Sequence, residues 1–337
     1  MSAGKQDIMF YCGVGEMNYN HHPVFTGPRA CVSPVCGSTE QTKSVNRVRV
    51  PSDALVMQDS GAFSDGPGQR LSYAEALDRQ IAHAERFVYT NQIEARASYD
   101  CLLIDEIWEN GVRRKERWPE EAGEFAVKTS VDAARYISQH RYGLPLVLSA
   151  QGVSPKQYLK CAHQIVPMMG RDDIFGLGGW CIIGKLPKRM MPIFREAMQQ
   201  VIPFLGSEGV KRVHIWGVCY APALGELLWL CDQHGIQVST DSVGPSVRPV
   251  MGSWGYSSWR DNSYQVPPVL DSCKQTDLWG NKAPSCAANT RCRGLERARS
   301  IKLTSEWLAD FKAREAKHYR YVPIVEKQAM QLSLDIA

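Results

Sequence analysis

Leu55-Val56-Met57-Gln58-Asp59-Ser60-Gly61-Ala62-Phe63-Ser64 reads as a short apolar strand that ends in an acid and runs at once into a glycine-containing turn. A carboxylate at the lip of a buried strand is costly unless it is paired or used. The same pattern returns at Cys101-Leu102-Leu103-Ile104-Asp105-Glu106 and at Ile236-Gln237-Val238-Ser239-Thr240-Asp241-Ser242. Three strands that each close on an Asp would gather three carboxylates on one rim.

Working outward from this stretch, the sequence predicts eight strands, at residues 7–12, 30–34, 55–58, 101–104, 145–149, 174–177, 213–216 and 236–240. Helical patterns fall between most of them. Ser72-Tyr73-Ala74-Glu75 forms a capping box ahead of Ala76, Leu77, Ile81 and Ala84 at helical spacing. Residues 120–138 form an amphipathic helix with Phe125, Ala126, Ala133, Ala134 and Ile137 on its apolar side. Pro155 opens a helix at its first position, residues 188–204 form the next, and residues 222–233 form one closed by His234-Gly235. Strand interiors that are apolar throughout suit a parallel sheet covered on both faces. Eight strands with helical crossovers in about 240 residues predict an α/β protein, a (β/α)8 TIM barrel over residues 1–249. The rival is an open doubly wound sheet, but no G-x-G-x-x-G follows the first strand.

In a barrel, functional residues sit where the strands end. Asp59, Asp105, Gln151, Gly178, Gly179, Gly217 and Asp241 all fall at predicted strand ends, with Ser60 and Phe63 on the first of the turns. A cap or a structural hydrogen bond is the plain alternative for each.

The barrel pattern stops after Ser246. Residues 250–268 are rich in Trp, Tyr, Gly, Ser and Pro; such aromatics pack against a barrel or offer stacking faces to bases, with Arg248 and Arg260 beside them for phosphate. Then come Cys273, Cys286 and Cys292, spaced x12 and x5, with His318 lying 26 residues after Cys292. Three thiols and an imidazole make a tetrahedral zinc shell with no open position, which predicts a structural Zn2+. Residues 250–337 are thus expected to form a C-terminal zinc-binding subdomain with helices that complete the barrel. A helix at residues 303–321 carries His318 back toward the cysteines.

The 337-residue chain has a net charge of only +4, yet residues 273–327 hold 12 Lys and Arg against 6 Asp and Glu. That surplus points to a polyanion partner, with Arg291, Arg293, Arg297 and Arg299 as phosphate contacts; a solvated helical surface explains the charge equally well. No run approaches the 18 apolar residues of a membrane span, and the first residues lack the apolar core of a signal peptide. Most of the 11 cysteines stand on apolar strands or helices, as buried thiols do in a reducing compartment. A soluble cytoplasmic protein, monomer or homodimer, is expected, with no membrane partner. His21 and His22 stand in a polar loop, where a place near the substrate or simple exposure explains them better than metal binding.

Taken together, the rim and the Cys/His cluster resemble the tRNA-guanine transglycosylase superfamily. Asp59-Ser60-Gly61-Ala62-Phe63 is similar to that family's Asp-Ser-Gly-Gly-Phe. Gln151-Gly152 and Phe175-Gly176-Leu177-Gly178-Gly179 resemble its base-reading Gln-Gly and Gly-Gly turn. The interval from Cys292 to His318 resembles the spacing of its last zinc Cys and its His. Asp241 stands seven residues before an Arg, where the family has its nucleophile. There are departures. The cysteines are spread out rather than packed as Cys-x-Cys-x2-Cys, Lys185 stands where queuosine-type enzymes carry an acid, and the chain is shorter than most tRNA enzymes. These features look more like the DNA-modifying branch, which inserts 7-deazaguanine bases into DNA.

The resemblance implies replacement of guanine in DNA by a 7-deazaguanine such as the 7-cyano form, preQ0, with tRNA as the alternative substrate. Asp241 would attack the sugar C1′, and Asp59 would serve as general acid and base. Asp105 would accept from the guanine N1–H and amino group, while Gln151 and the Gly179 amide would donate to O6. A target base in a duplex must be flipped out. A noncatalytic nucleic-acid-binding barrel is disfavoured, because both Asp59 and Asp241 are present. A metal hydrolase barrel would want a His-rich rim.

Overall fold

The computed structural model describes residues 6–14, 28–35, 52–65, 70–101, 104–109, 112–117, 119–244 and 301–315. Eight parallel strands close on themselves: β1 (Ile8–Val14), β2 (Arg29–Val32), β3 (Leu55–Gln58), β4 (Ile93–Ala97), β7 (Leu146–Ala150), β8 (Ile174–Leu177), β9 (Arg212–Ile215) and β10 (Gln237–Ser242). The last of them pairs with the first, Ile8 opposite Val238 through Cys12 opposite Ser242, which leaves no free sheet edge. This is the (β/α)8 barrel expected from the sequence. The zinc subdomain expected beyond it falls outside the described residues.

Both faces of the sheet are buried, which explains strands that are apolar throughout. Tyr11, Cys31, Met57, Ala95, Ala97, Val147 and Ile174 fill the barrel interior. The outward residues Phe10, Leu146, Leu148, Phe175, Leu177, Val213, Ile215 and Val238 meet the surrounding helices. Those helices are α2 (Tyr73–Arg86), α3 (Glu120–Gln139), α4 (Pro155–Ile165), α5 (Pro187–Ser207) and α6 (Ala221–Gln233), with the single turn α1 (Ala62–Asp65) at the top of β3. The capping box of α2 is present as expected: the Ser72 hydroxyl accepts from the Glu75 amide, and the Glu75 carboxylate accepts from the Ser72 amide. On α3, Phe125 departs from its expected place; it is 53% exposed while Ala126, Ala133, Ala134 and Ile137 are buried.

One strand stands elsewhere than the sequence suggested. The fourth barrel strand is Ile93–Ala97, not residues 101–104. Residues 104–109 instead form β5 (Ile104–Glu109), paired antiparallel with β6 (Val112–Arg117) in a two-stranded hairpin between β4 and α3. Asp105 therefore stands opposite Glu116 in that hairpin and not at the end of a barrel strand. The cause is physical. The run Cys101-Leu102-Leu103-Ile104 is the more apolar, whereas Ile93-Glu94-Ala95-Arg96-Ala97 carries two charged residues that find partners only in the folded barrel.

Those partners are distinct. The β3–β4 register skips one residue at Glu94, a bulge that re-aims a side chain. Glu94 accepts from the Tyr11 hydroxyl at 2.6 Å and from Arg212 at 2.7 Å, linking β1, β4 and β9. Buried Arg96 instead donates through Nε to Gln58 at 2.7 Å, and Gln58 reaches Tyr89 and the Gln80 carbonyl, so this network ties α2 to β3 and β4.

Residues 301–309 are helical, and after a turn at Asp310 comes α7 (Phe311–Glu315). Ile301, Trp307, Leu308 and Phe311 bury into the same apolar cluster as β1 and α6. The Asp7 amide donates to the Ala309 carbonyl at 3.0 Å, and Lys312 pairs with Asp232 at 2.5 Å.

Candidate active site

The C-terminal rim of the barrel is where three acids meet. β3 ends at Gln58 and delivers Asp59, whose amide donates to the Val32 carbonyl of β2 at 2.9 Å. From α2, the Gln80 amide group donates to the Asp59 carbonyl at 3.0 Å and to the Ala97 carbonyl at 3.1 Å, clamping the ends of β3 and β4 together. β4 delivers Asp100, three residues past its end. β10 carries Asp241 within the strand, opposite Tyr11 of β1. Asp100 thus holds the rim position that the sequence had suggested for Asp105.

The Asp59 carboxylate accepts from the Ser60 amide at 2.7 Å and from the Ser33 hydroxyl. Those bonds favour the charged form, but they are outweighed. Burial, then the negative fields of Asp241 and Asp100, push Asp59 up to about 7. Burial also raises Asp100, against the pull of its hydrogen bonds from Gln151 and Ser60 and the charge of Arg70. Ser60 thereby bridges two of the acids, its backbone amide serving Asp59 and its hydroxyl Asp100. No Lys or Arg among the described residues forms an ion pair with Asp59, Asp100 or Asp241.

Gln151 follows β7 directly and is 3% exposed. Its Nε2 donates to Asp100 at 2.5 Å, while its Oε1 is buried with no hydrogen-bond partner. The atom without a partner is therefore an acceptor, which differs from the donor role expected for Gln151. The amide packs flat on Gly178, where any Cβ would collide with it. The Gly178 carbonyl is fixed in turn by the Tyr158 hydroxyl at 2.6 Å.

Asp241 is held through one oxygen. Its Oδ1 accepts from the Gly217 amide at 2.7 Å and from Nε2 of His214 at 3.2 Å. Gly217 adopts φ +68° to aim that amide, a backbone state that side chains disfavour. His214 and Asp100 were not singled out in the sequence. The signal for His214 was parity: Arg212, His214 and Trp216 alternate on β9 as Ser239 and Asp241 do on β10.

The other expected site residues are placed as follows. Gly179, at φ +78°, and Gly178 are buried at the top of β8. Ser60 is buried among the acids, whereas Phe63 is 53% exposed at the mouth. Arg248, Arg260, Cys273, Cys286, Arg291, Cys292, Arg293, Arg297, Arg299 and His318 lie outside the described residues, as do His21 and His22. Among the described residues, no three His, Cys, Asp or Glu side chains are arranged to hold a metal ion. Also among them, no helix is long and apolar enough to cross a membrane.

Chemically, the rim offers a carboxyl that exchanges its proton near neutrality, a second carboxyl fixed by one oxygen, and a third paired with an amide whose carbonyl seeks a donor. That set fits general acid–base and nucleophilic work at one centre.

No family model matches the sequence, and no curated protein matches it. Among solved structures, the carboxyl transferase domain from Rhizobium etli pyruvate carboxylase aligns at 11% identity over 79% of this chain, with a TM-score of 0.33. The chain spans 41% of that structure's length. An L-ribulose 3-epimerase aligns at 12% identity over 87% of this chain and 89% of its own, with a TM-score of 0.34.

Proposed function

We propose that this protein is an enzyme, a pentosyltransferase that replaces guanine in DNA with a 7-deazaguanine base. The observation that carries this reading is the pairing of Asp59 and Asp241 at one rim. Two carboxyls whose surroundings differ are the requirement for displacement at a glycosidic carbon with a covalent intermediate. Asp59, pushed up to about 7, suits proton transfer at neutral pH. Asp241, with both its hydrogen bonds on Oδ1, presents Oδ2.

In the first half-reaction, Oδ2 of Asp241 bonds to C1′ and the C1′–N9 bond breaks. The electron pair leaves with guanine, which takes the proton held by Asp59. In the second half, the incoming 7-deazaguanine gives its N9 proton to Asp59, bonds to C1′ and releases Asp241. Asp100 takes the base-reading task first expected of Asp105, accepting from the guanine N1–H and amino group. Gln151 Oε1 offers one further acceptor. A site that leaves buried acceptors unpaired with adenine rejects it.

DNA rather than tRNA is favoured by two departures from the tRNA enzymes, Lys185 after the Gly-Gly turn and the wide spacing of Cys273, Cys286 and Cys292. Those cysteines and His318 would hold a structural zinc beside the basic C-terminal segment. The test is to incubate purified protein with labelled guanine or preQ0 and with duplex DNA, single-stranded DNA or tRNA. Label entering DNA is the expected result. Label entering tRNA alone would overturn the choice of DNA, and label entering none would overturn the exchange reaction.

A further inference from the structure

The geometry points to His214 as the positioning residue of Asp241, fixing the orientation in which the carboxylate presents its free oxygen. This inference rests on the exchange reaction proposed above.

His214 is wholly buried inside the barrel, beneath the rim. A buried imidazole needs partners for both nitrogens, and both are found on β10. Ser239 stands directly opposite His214 in the β9–β10 register, and Asp241 lies two residues further on the same face. Nδ1 is 3.0 Å from the Ser239 hydroxyl, and Nε2 is 3.2 Å from Oδ1 of Asp241. A carboxylate oxygen only accepts, so Nε2 carries the hydrogen. In a neutral ring Nδ1 is then the acceptor, and it takes the single Ser239 hydroxyl hydrogen in competition with the Val213 carbonyl, 3.1 Å from the same oxygen. The ring is clamped edge-on by Trp216, with centroids 4.3 Å apart, and by Tyr11 at 5.9 Å.

With the Gly217 amide as second donor, Oδ1 is occupied twice. Neither donor reaches Oδ2. Rotation of the carboxylate away from this orientation would break both bonds, and the paired donors oppose it. His214 touches neither the sugar nor the base in this arrangement. Its effect is to hold Asp241 in one orientation, so that Oδ2 meets C1′ in line.

The test compares His214→Leu, which keeps an apolar filling, with His214→Gln, whose amide can donate to Oδ1 and accept from Ser239. Wild-type protein is assayed first for labelled-guanine exchange; failure there overturns the exchange reaction, not this inference. Given an active wild type, His214→Leu is expected to lower kcat about 10- to 100-fold, as loss of a hydrogen bond to a charged group does. KM for the nucleic acid stays unchanged, and His214→Gln restores most of kcat. An undiminished kcat in His214→Leu overturns the inference, and so does equal impairment of the Leu and Gln variants, the mark of a packing role. Ser239→Ala removes the hydroxyl that orients Nδ1, together with its bond to the Val213 carbonyl, and is expected to lower kcat severalfold at constant KM. Should His214→Leu not fold, an unchanged kcat in Ser239→Ala overturns the inference by itself.

Discussion

Toward the N-terminal end of the barrel, Glu94 is met by the Arg212 guanidinium at 2.7 Å and by the Tyr11 hydroxyl at 2.6 Å. At the opposite rim, Asp59, Asp100 and Asp241 stand together with no Lys or Arg ion pair among the described residues. Both clusters sit in the same barrel, and both draw ionisable groups partly or wholly out of water. The first neutralises its acid with a cation and a phenol, so its cost of desolvation is largely offset. The second gathers three acids: burial raises Asp59 and Asp100, the fields of Asp241 and Asp100 add to the rise at Asp59, and the Gln151 carbonyl is left without a partner. A fold selected for stability alone would build the first kind of cluster twice. The contrast marks the rim as the working end.

Breaking the rim should cost activity and not stability. Asp241→Asn is expected to lower base exchange about 10⁴-fold or more, measured by incorporation of labelled guanine. The midpoint of its thermal unfolding stays level or rises, because a like charge beside Asp59 is gone. The opposite cluster should behave in reverse. Arg212→Met leaves Glu94 partly buried without its cation and is expected to destabilise the fold by about 3 kcal/mol, read from urea denaturation. Equal losses of stability in the two variants would remove the distinction between the ends.

A pH series sharpens the same comparison. Asp59 keeps its proton to about pH 7 in the fold but only to about pH 4 in the unfolded chain. Between those values the native state binds more protons than the unfolded state. Stability therefore falls as pH rises through this window and levels off above it. Asp59→Asn removes that fall. Its stability relative to the parent, near zero at pH 4, is expected to grow to on the order of 2–4 kcal/mol by pH 7.5. Thermal midpoints of both proteins across that range check it, and parallel curves would refute it. The smallest effect is expected of Gln151→Met, within about 1 kcal/mol of the parent in urea. Asp100 loses a donor, but a buried carbonyl without a partner is removed as well.

The same contrast explains what the sequence disclosed. Seven of the eight barrel strands were legible, because strands buried on both faces are apolar in an unbroken run, and Asp59 and Asp241 could be placed at their ends. The fourth strand was not, since Glu94 and Arg96 make it look like surface. Their partners, Tyr11 with Arg212 for Glu94 and Gln58 for Arg96, come from strands distant in sequence, and no local pattern announces them. The error carried forward from the strand to the acid, from Asp100 to Asp105. His214 was hidden for a related reason. A histidine within an apolar strand is read as filling, and only the β9–β10 register shows Ser239 and Asp241 on its two sides.

The pairing of β1 with β10 also governs the order of assembly. Ile8 finds its partner in Val238, 230 positions later, and Cys12 finds its own in Ser242. During synthesis, the edge of β1 must wait, unpaired, for nearly the whole barrel to follow it. Contacts so distant along the chain close slowly, and a waiting apolar edge is a template for pairing with the wrong chain. The strand that carries Asp241 is thus the last of the barrel to be laid down, so Asp241 takes its place at the rim only when the barrel closes.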